Sequence, residues 1–323
     1  MSEKMRWAIL ATGAVANRFA TALNNITDQA ELVAVGSRSK ESAKVFAEKY
    51  GIPKYYGSYQ EVADDPDVDI IYIGTPHTIH CENTLMSLEG GKHVLCEKAF
   101  CMNADEAKQM IDLAREQNLF LMEAMWTRFF PIHVRIREIL AEGLLGDLQG
   151  LVIHHNYMGL EELPEVYPPE LGMGTFMDQA PYGMALAYSI LGPPIQTKII
   201  TTFGPRGINY QTSGAFLHNG GRMTTWMASR TTYDVKDAVV FGTDGKIDIH
   251  APWYKPTKMT LHIKGRDPEF IEYPLDGYVG YEYEAMEVMN CIRAGKSESE
   301  IMPLGETLAI MNSIDDMRSQ WEF

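Results

Sequence analysis

Two strand ends in this 323-residue chain carry groups that packing alone does not ask for. The apolar run His93-Val-Leu-Cys96 is followed at once by Glu97 and Lys98, and Asp69-Ile-Ile-Tyr-Ile73 by Gly74-Thr75-Pro76-His77. Long cations are rarely enclosed unless they are paired or used. At the end of a buried strand, Lys98 can hydrogen-bond a hydroxyl group and stabilise negative charge developing on its oxygen. The plainer reading is a salt bridge between Glu97 and a neighbouring base. Thr75 and Pro76 stop their strand and start a loop. His77 and His80 either line a ligand pocket there or cap the helix that follows. Asp178 and Tyr182 stand four residues apart, so on a helix both can face one pocket.

A second kind of chemistry is written in the backbone. Trp7-Ala-Ile-Leu10 runs into Ala11, Thr12, Gly13, Ala14, Val15 and Ala16, and then into a helix. A strand, a tight turn and a helix N-terminus bring amide groups up to a pyrophosphate, which makes Ala11 to Val15 a candidate dinucleotide turn. Ala16 replaces the third glycine of the usual pattern, where any small residue packs. Ala11 replaces the first, and is tolerable only with negative φ, because a Cβ is costly in the left-handed region. The next strand, Glu31–Val35, ends in Gly36-Ser37-Arg38-Ser39, with no carboxylate before Glu41. A carboxylate there suits the ribose 2′-hydroxyl of NAD, whereas an arginine suits the 2′-phosphate of NADP. Ser37 and Arg38 therefore favour NADP over NAD. The competing reading makes Ser39 a helix cap and Arg38 a solvated charge. Thr75 and Pro76 would lie beside the nicotinamide ribose.

The elements that must position these groups change character along the chain. Over residues 1–123, short apolar strands alternate with amphipathic helices, which predicts an α/β domain with a doubly wound parallel Rossmann sheet. Ser39 and Asn103 are read as helix caps, the latter with Glu106 three residues on. Over residues 124–323 helices are expected near Pro131–Glu142, Phe176–Leu191, Tyr281–Ala294 and Pro303–Gln320. Strands between them alternate polar and apolar residues, with turns at Asn219-Gly220-Gly221 and Asp244-Gly245. That pattern predicts an α+β domain with a largely antiparallel open sheet, one face covered.

Composition narrows the partners. With 43 acidic against 28 basic side chains the formal net charge is −15, so nucleic acid and anionic membrane are poor partners. No apolar run approaches twenty residues and the first residues lack the apolar core of a signal peptide, which makes the cytoplasm the expected location. Cys81, Cys96, Cys101 and Cys291 show no close C-x-x-C pair and read as reduced, mostly buried thiols. His77 with His80, and His154 with His155, lack further ligands at site spacing, so no metal is expected.

The turn at Ala11–Ala16, Gly74-Thr75-Pro76, Glu97-Lys98-Ala99 and the stretch Phe120-Leu-Met-Glu-Ala-Met-Trp-Thr-Arg-Phe-Phe-Pro131 resemble the glucose-fructose oxidoreductase, inositol dehydrogenase and rhizopine-catabolism (Gfo/Idh/MocA) family. That last stretch resembles its dihydrodiol dehydrogenase and NADP-dependent D-xylose dehydrogenase branch. The resemblance extends to Gly172-Met-Gly-Thr-Phe-Met-Asp178-Gln-Ala-Pro-Tyr182, Tyr283-Glu-Ala285 and Pro303-Leu304, and so spans essentially the whole chain. Ala99 stands where the family has proline, and Met173 where it has glycine.

The resemblance implies that Lys98 and Tyr182 are a catalytic pair. Tyr182 would exchange a proton with the substrate oxygen, and the Lys98 cation would favour its phenolate. Asp178 would bind a substrate hydroxyl. It also implies that Ala11 to Val15, Ser37, Arg38, Thr75, Pro76, His77, His80, Glu97 and Lys98 surround the cofactor. Trp126, Arg128, Phe129 and Trp253 would line the substrate pocket, although core packing suits Phe129 and Trp253 equally. The expected activity is hydride transfer between NADP and a CH–OH carbon of a small polyhydroxylated molecule, a sugar or a trans-dihydrodiol. The alternatives are a reductase of ketosugars or dicarbonyls, and a cofactor-sensing protein without catalysis. A homodimer or higher homo-oligomer is expected through the open sheet.

Overall fold

Short apolar runs alternating with capped helices build the first unit. The computed structural model describes residues 4–159, 174–204 and 207–321, and divides into Met1–Trp126 with Leu275–Leu308, and Thr127–Pro274 with Ala309–Phe323. In the first unit, β1 (Met5–Leu10), β2 (Ala30–Gly36), β3 (Lys54–Tyr56), β4 (Ile70–Ile73), β5 (His93–Glu97) and β6 (Leu121–Ala124) form one sheet. Its order is β3-β2-β1-β4-β5-β6 and every pairing is parallel, so all six carboxyl ends share one edge. The order reverses between β1 and β4, where a doubly wound sheet opens its ligand crevice. Both expected features, the parallel sheet and the capped helices, are present.

The helices of this unit are α1 (Ala14–Asn25), α2 (Lys40–Tyr50), α3 (Tyr59–Ala63), α4 (His80–Glu89) and α5 (Ala104–Glu116). Ser39, Ser58 and Asn103 cap α2, α3 and α5 by accepting the amides of Ser42, Glu61 and Glu106. Gly51 ends α2 at φ 71°, where a Cβ would be strained. The sequence reading missed β3 and α3, which are too short to show a period.

The division of the chain departs from the expected 1–123 and 124–323. Residues Leu275–Leu308 return to the first unit. The cause is α8 (Tyr281–Arg293), which buries Tyr281, Ala285, Val288 and Met289. Glu282 at its start accepts the Asn25 side-chain amide at 2.7 Å, and Ser297 beyond its end accepts the Leu121 amide at 3.1 Å. A linear reading cannot see that a C-terminal helix packs back on the first strands.

The second unit holds a nine-stranded mixed sheet, β15-β14-β13-β12-β7-β10-β9-β8, with β11 paired to β7. Its strands are β7 (Leu148–Met158), β8 (Pro194–Phe203), β9 (Asn209–His218), β10 (Met223–Ser229), β11 (Thr231–Val235), β12 (Ala238–Gly242), β13 (Gly245–Ile249), β14 (Lys258–Ile263) and β15 (Glu269–Glu272). All its pairings are antiparallel except β7 with β10. Gly220 and Gly221, at φ 76° and 77°, turn β9 into β10. The unit's helices are α6 (Pro131–Ala141), which starts on proline, and α7 (Thr175–Leu191), together with most of α9 (Leu304–Ser319), whose first turn belongs to the first unit. No described helix is long and apolar enough to cross a membrane.

Candidate active site

The nucleotide turn is built from backbone. Gly13 is the N-cap of α1 and no side chain caps it, so the first amides of the helix point forward without a side-chain acceptor. Apart from its chain neighbours, no described residue comes within 4 Å of where a Cβ of Gly13 would stand, which leaves room for a phosphate to approach. Asn17 braces the turn by donating to the carbonyls of Thr12 and Gly13 at 3.2 and 2.8 Å. Gly74 closes the neighbouring strand end, where a Cβ would meet the Tyr72 ring at 3.1 Å and Val15 at 3.4 Å. These features fit a dinucleotide pyrophosphate. Ala11 does not behave as expected: it adopts φ 95°, not a negative value, and its amide is held by the Gly36 carbonyl at 2.9 Å. The fold imposes the glycine conformation and the alanine accepts it at a cost of roughly 1–2 kcal/mol.

At the end of β2, Ser37 is buried and Arg38 exposed. The Ser37 hydroxyl oxygen accepts the Ser39 amide at 3.4 Å and keeps its own proton to donate. Arg38 is not simply a solvated charge. Its guanidinium reaches the hydroxyl of Tyr59, the first residue of α3. Tyr59 was missed from sequence, because nothing in its surroundings marks it before β2 and β3 are paired.

The loop after β4 is tied down from below. Thr75 accepts the Asn83 side-chain amide at 3.1 Å. His80 is fully buried, its ring nitrogens 2.7 Å from the Thr75 carbonyl and 2.9 Å from the Ala99 carbonyl. The neutral ring donates to one of these carbonyls and packs against the other, so His80 stands between the Thr75 loop and the Lys98 turn. Burial pushes its pKa down, against its bonds to the backbone. His77 is buried beside it, ring edge to ring face at 5.7 Å.

Lys98 is half-buried at the end of β5 and its peptide bond to Ala99 is cis. Glu97 does not turn outward. It accepts the Tyr72 hydroxyl at 2.5 Å and the Lys98 amide at 3.1 Å inside the unit, where burial pushes its carboxyl above the usual range. Tyr72 is in turn stacked on Phe19 of α1, centroids 3.8 Å apart. Glu97 is thus a support for Lys98, a third possibility beside the salt bridge and the cofactor contact. Cys96 and Cys101 flank this turn as buried thiols pushed well up by desolvation, and are inert as nucleophiles. Trp126 stacks on Tyr281 at 4.5 Å and 17°.

In the second unit α7 presents Asp178 and Tyr182. Gly172 and Met173 lie outside the described residues. Gly174 begins the helix because Asn209 fills its Cβ position and accepts the Phe176 amide at 2.5 Å. Asp178 accepts a hydrogen bond from Arg230 at 3.3 Å. Arg230, whose side chain is 6% exposed, lies over the Tyr157 ring at 3.8 Å. The sequence reading overlooked it, since the link between β10 and β11 carries no motif. Tyr182 sits among His155 and Tyr254, at 5.8 and 6.0 Å between centroids, and those two stack on each other at 4.7 Å.

Two expected pocket walls have buried hydrogen-bond partners within the second unit. Trp253 is fully buried, its indole N–H donating to the His154 carbonyl and its own carbonyl lying 3.0 Å from the His133 ring nitrogen. Arg128 is 6% exposed and donates to the Ala185 carbonyl of α7 at 2.5 Å, which makes it a brace for that helix. Phe129 is also buried. Asp237 does reach His154, at 2.8 Å, but no group of three metal-binding side chains gathers among the described residues.

Residues 5–125 match the Gfo/Idh/MocA oxidoreductase family, NAD-binding Rossmann fold, and residues 133–248 match the Gfo/Idh/MocA C-terminal domain. The chain is 33% identical to trans-1,2-dihydrobenzene-1,2-diol dehydrogenase of Homo sapiens, over 97% of this chain and 96% of that one. Among solved structures it is similar to levoglucosan dehydrogenase in complex with NADH and levoglucosan, with a TM-score of 0.90 and 15% identity over 98% and 97% of the two chains. It is also similar to a 3-ketoreductase from Actinomadura kijaniata in complex with TDP-benzene and NADP, with a TM-score of 0.85 and 20% identity over 98% of each. The chain therefore belongs to the Gfo/Idh/MocA oxidoreductase family, with a nicotinamide-dinucleotide-binding Rossmann domain at its N-terminal end.

Proposed function

We propose that the protein is an NADP-linked dehydrogenase of a small polyhydroxylated substrate, a trans-dihydrodiol or an aldose, with Lys98 and Tyr182 handling the hydroxyl proton. The relatives named as trans-dihydrodiol dehydrogenases support the substrate class. Arg38, with no carboxylate beside it at the end of β2, supports NADP, because a guanidinium pairs with the 2′-phosphate. Bound nicotinamide supplies the acceptor for hydride. Tyr182, in its phenolate form, takes the hydroxyl proton as the carbinol carbon is oxidised, and the Lys98 ammonium stabilises negative charge on the substrate oxygen. Asp178, oriented by Arg230, binds a neighbouring hydroxyl.

The observation that carries this reading is the support under Lys98. Glu97, Tyr72 and His80 spend buried hydrogen bonds on one turn, as a reacting group needs. Exposed apolar side chains on the second unit's strands, Tyr233, Ile200, Met158 and Phe270, support association through that unit into a homodimer or higher oligomer. The cytoplasm remains our proposed location.

The test is absorbance of reduced nicotinamide with a trans-dihydrodiol, D-xylose or D-glucose and either cofactor. Turnover of at least one substrate, faster with NADP, is expected. NADPH binding without turnover of any substrate would make the protein a cofactor sensor instead.

A further inference from the structure

The helix α8 buries a second carboxyl group in the same unit as Glu97, close enough to feel its charge. Glu284 is fully buried and neither of its carboxyl oxygens has a hydrogen-bond partner among the described residues. Its helix does not need it as a cap, because Glu282 takes the amides of Val279 and Gly280. Glu97 is the opposite case, with the Tyr72 hydroxyl on one oxygen and the Lys98 amide on the other. The charges of Glu97 and Glu284 act on each other and on Tyr72. The groups that face them are Tyr72 from β4, Lys98 at the end of β5, Arg18 from α1 and Tyr281 on α8 itself.

Two carboxyl groups in one buried site do not both ionise, and the one with donors ionises first. Glu97 has two donors and the fields of Lys98 and Arg18. Glu284 has no donor among the described residues, and burial together with the charge of Glu97 holds its carboxyl well above the usual range.

We propose that Glu284 and Glu97 hold one proton between them, Glu284 as the neutral acid and Glu97 as the carboxylate that anchors the Lys98 turn. Glu284 is then a positioning residue, and a single counter-charge stands behind the lysine. Its role in catalysis rests on Lys98 acting at the substrate oxygen, whereas its protonation does not.

Infrared spectroscopy of the whole protein tests the proton directly. The wild type at pH 7 is expected to show the carbonyl stretch of a buried carboxylic acid, and Glu284→Gln to lack it. No such band, or a band unchanged in the variant, would overturn the proposal.

Unfolding between pH 5 and 9 gives an independent reading. A raised folded pKa means that the native state keeps a proton the unfolded chain has lost. Wild-type stability therefore falls as pH rises from the ordinary glutamate value toward the folded one. Relative to Glu284→Gln the folding equilibrium should weaken by up to tenfold per pH unit. Parallel pH dependences would overturn the proposal, whatever the constant offset from the new amide. For positioning, a second counter-charge would hold the Lys98 proton to higher pH, so with Glu284 neutral the alkaline limb of turnover should stand at the same pH in Glu284→Gln as in the wild type. A limb moved to lower pH in the variant would mean that Glu284 works as a carboxylate and would reject the single counter-charge. Failure of every substrate with the band and slope intact would instead count against the proposed function.

Discussion

In the first unit the candidate groups hang from the ends of β1, β2, β4 and β5, each one or two residues past an apolar run. In the second unit Asp178 and Tyr182 stand on α7, a helix buried over most of its length, and side chains from β7, β10–β11 and the Trp253–Tyr254 segment set them. Strand-end groups are aimed by the backbone of a parallel sheet, so the sheet that makes the fold also makes the site. Helix-face groups are aimed by neighbours far away in sequence. The first kind should tolerate changes in surrounding side chains better than the second, and substitutions can break that contrast.

The largest expected effect belongs to Lys98. Lys98→Met should lower kcat by about 10²–10⁴-fold, the range of a lost proton-handling group, while circular dichroism and the unfolding midpoint stay near wild type. A near wild-type rate would remove Lys98 from the chemistry. Next comes Arg230, because a buried cation aims Asp178. Arg230→Ala should lower kcat/KM by roughly tenfold to a hundredfold, the ~1.5–3 kcal/mol of a charged hydrogen bond, mostly through substrate KM. If kcat/KM is unchanged, the helix face does not depend on its neighbours as claimed.

A selective change is expected at the exposed end of β2. Arg38→Ala should raise KM for NADP about tenfold or more and leave KM for NAD nearly untouched. Equal changes for both cofactors would remove the 2′-phosphate role. The smallest effect sharpens the backbone side of the contrast. Ala11→Gly should raise stability by about 0.5–1 kcal/mol in denaturant titration, since glycine meets φ 95° without a Cβ. A loss of stability would mean that the Ala11 methyl packs usefully.

What was legible in the sequence follows the same divide. The parallel sheet, the turn at Gly13, the caps at Ser39 and Asn103 and the Lys98 strand end all rest on local signals, and each is found where expected. The sign of φ at Ala11 was not local: the pairing of β1 with β2 sets it, and the residue complies. Glu97 and His80 lay beside a candidate ligand in sequence, yet their partners Tyr72, Thr75 and Ala99 turn them inward. Arg230 and Tyr59 were invisible, because each matters only through a residue from another element; Glu284 lay in the family-like stretch Tyr283–Ala285, where nothing local gave it a role. The return of α8 to the first unit is the same lesson at the scale of a whole helix.

The most direct measurement is the turnover of Tyr182→Phe with a substrate that the wild type oxidises, alongside NADPH affinity from fluorescence titration. Cofactor affinity should stay at the wild-type value while kcat falls by about a hundredfold or more, as loss of the proton acceptor requires. A variant that binds NADPH equally well and oxidises the substrate at the wild-type rate would contradict the proposed chemistry.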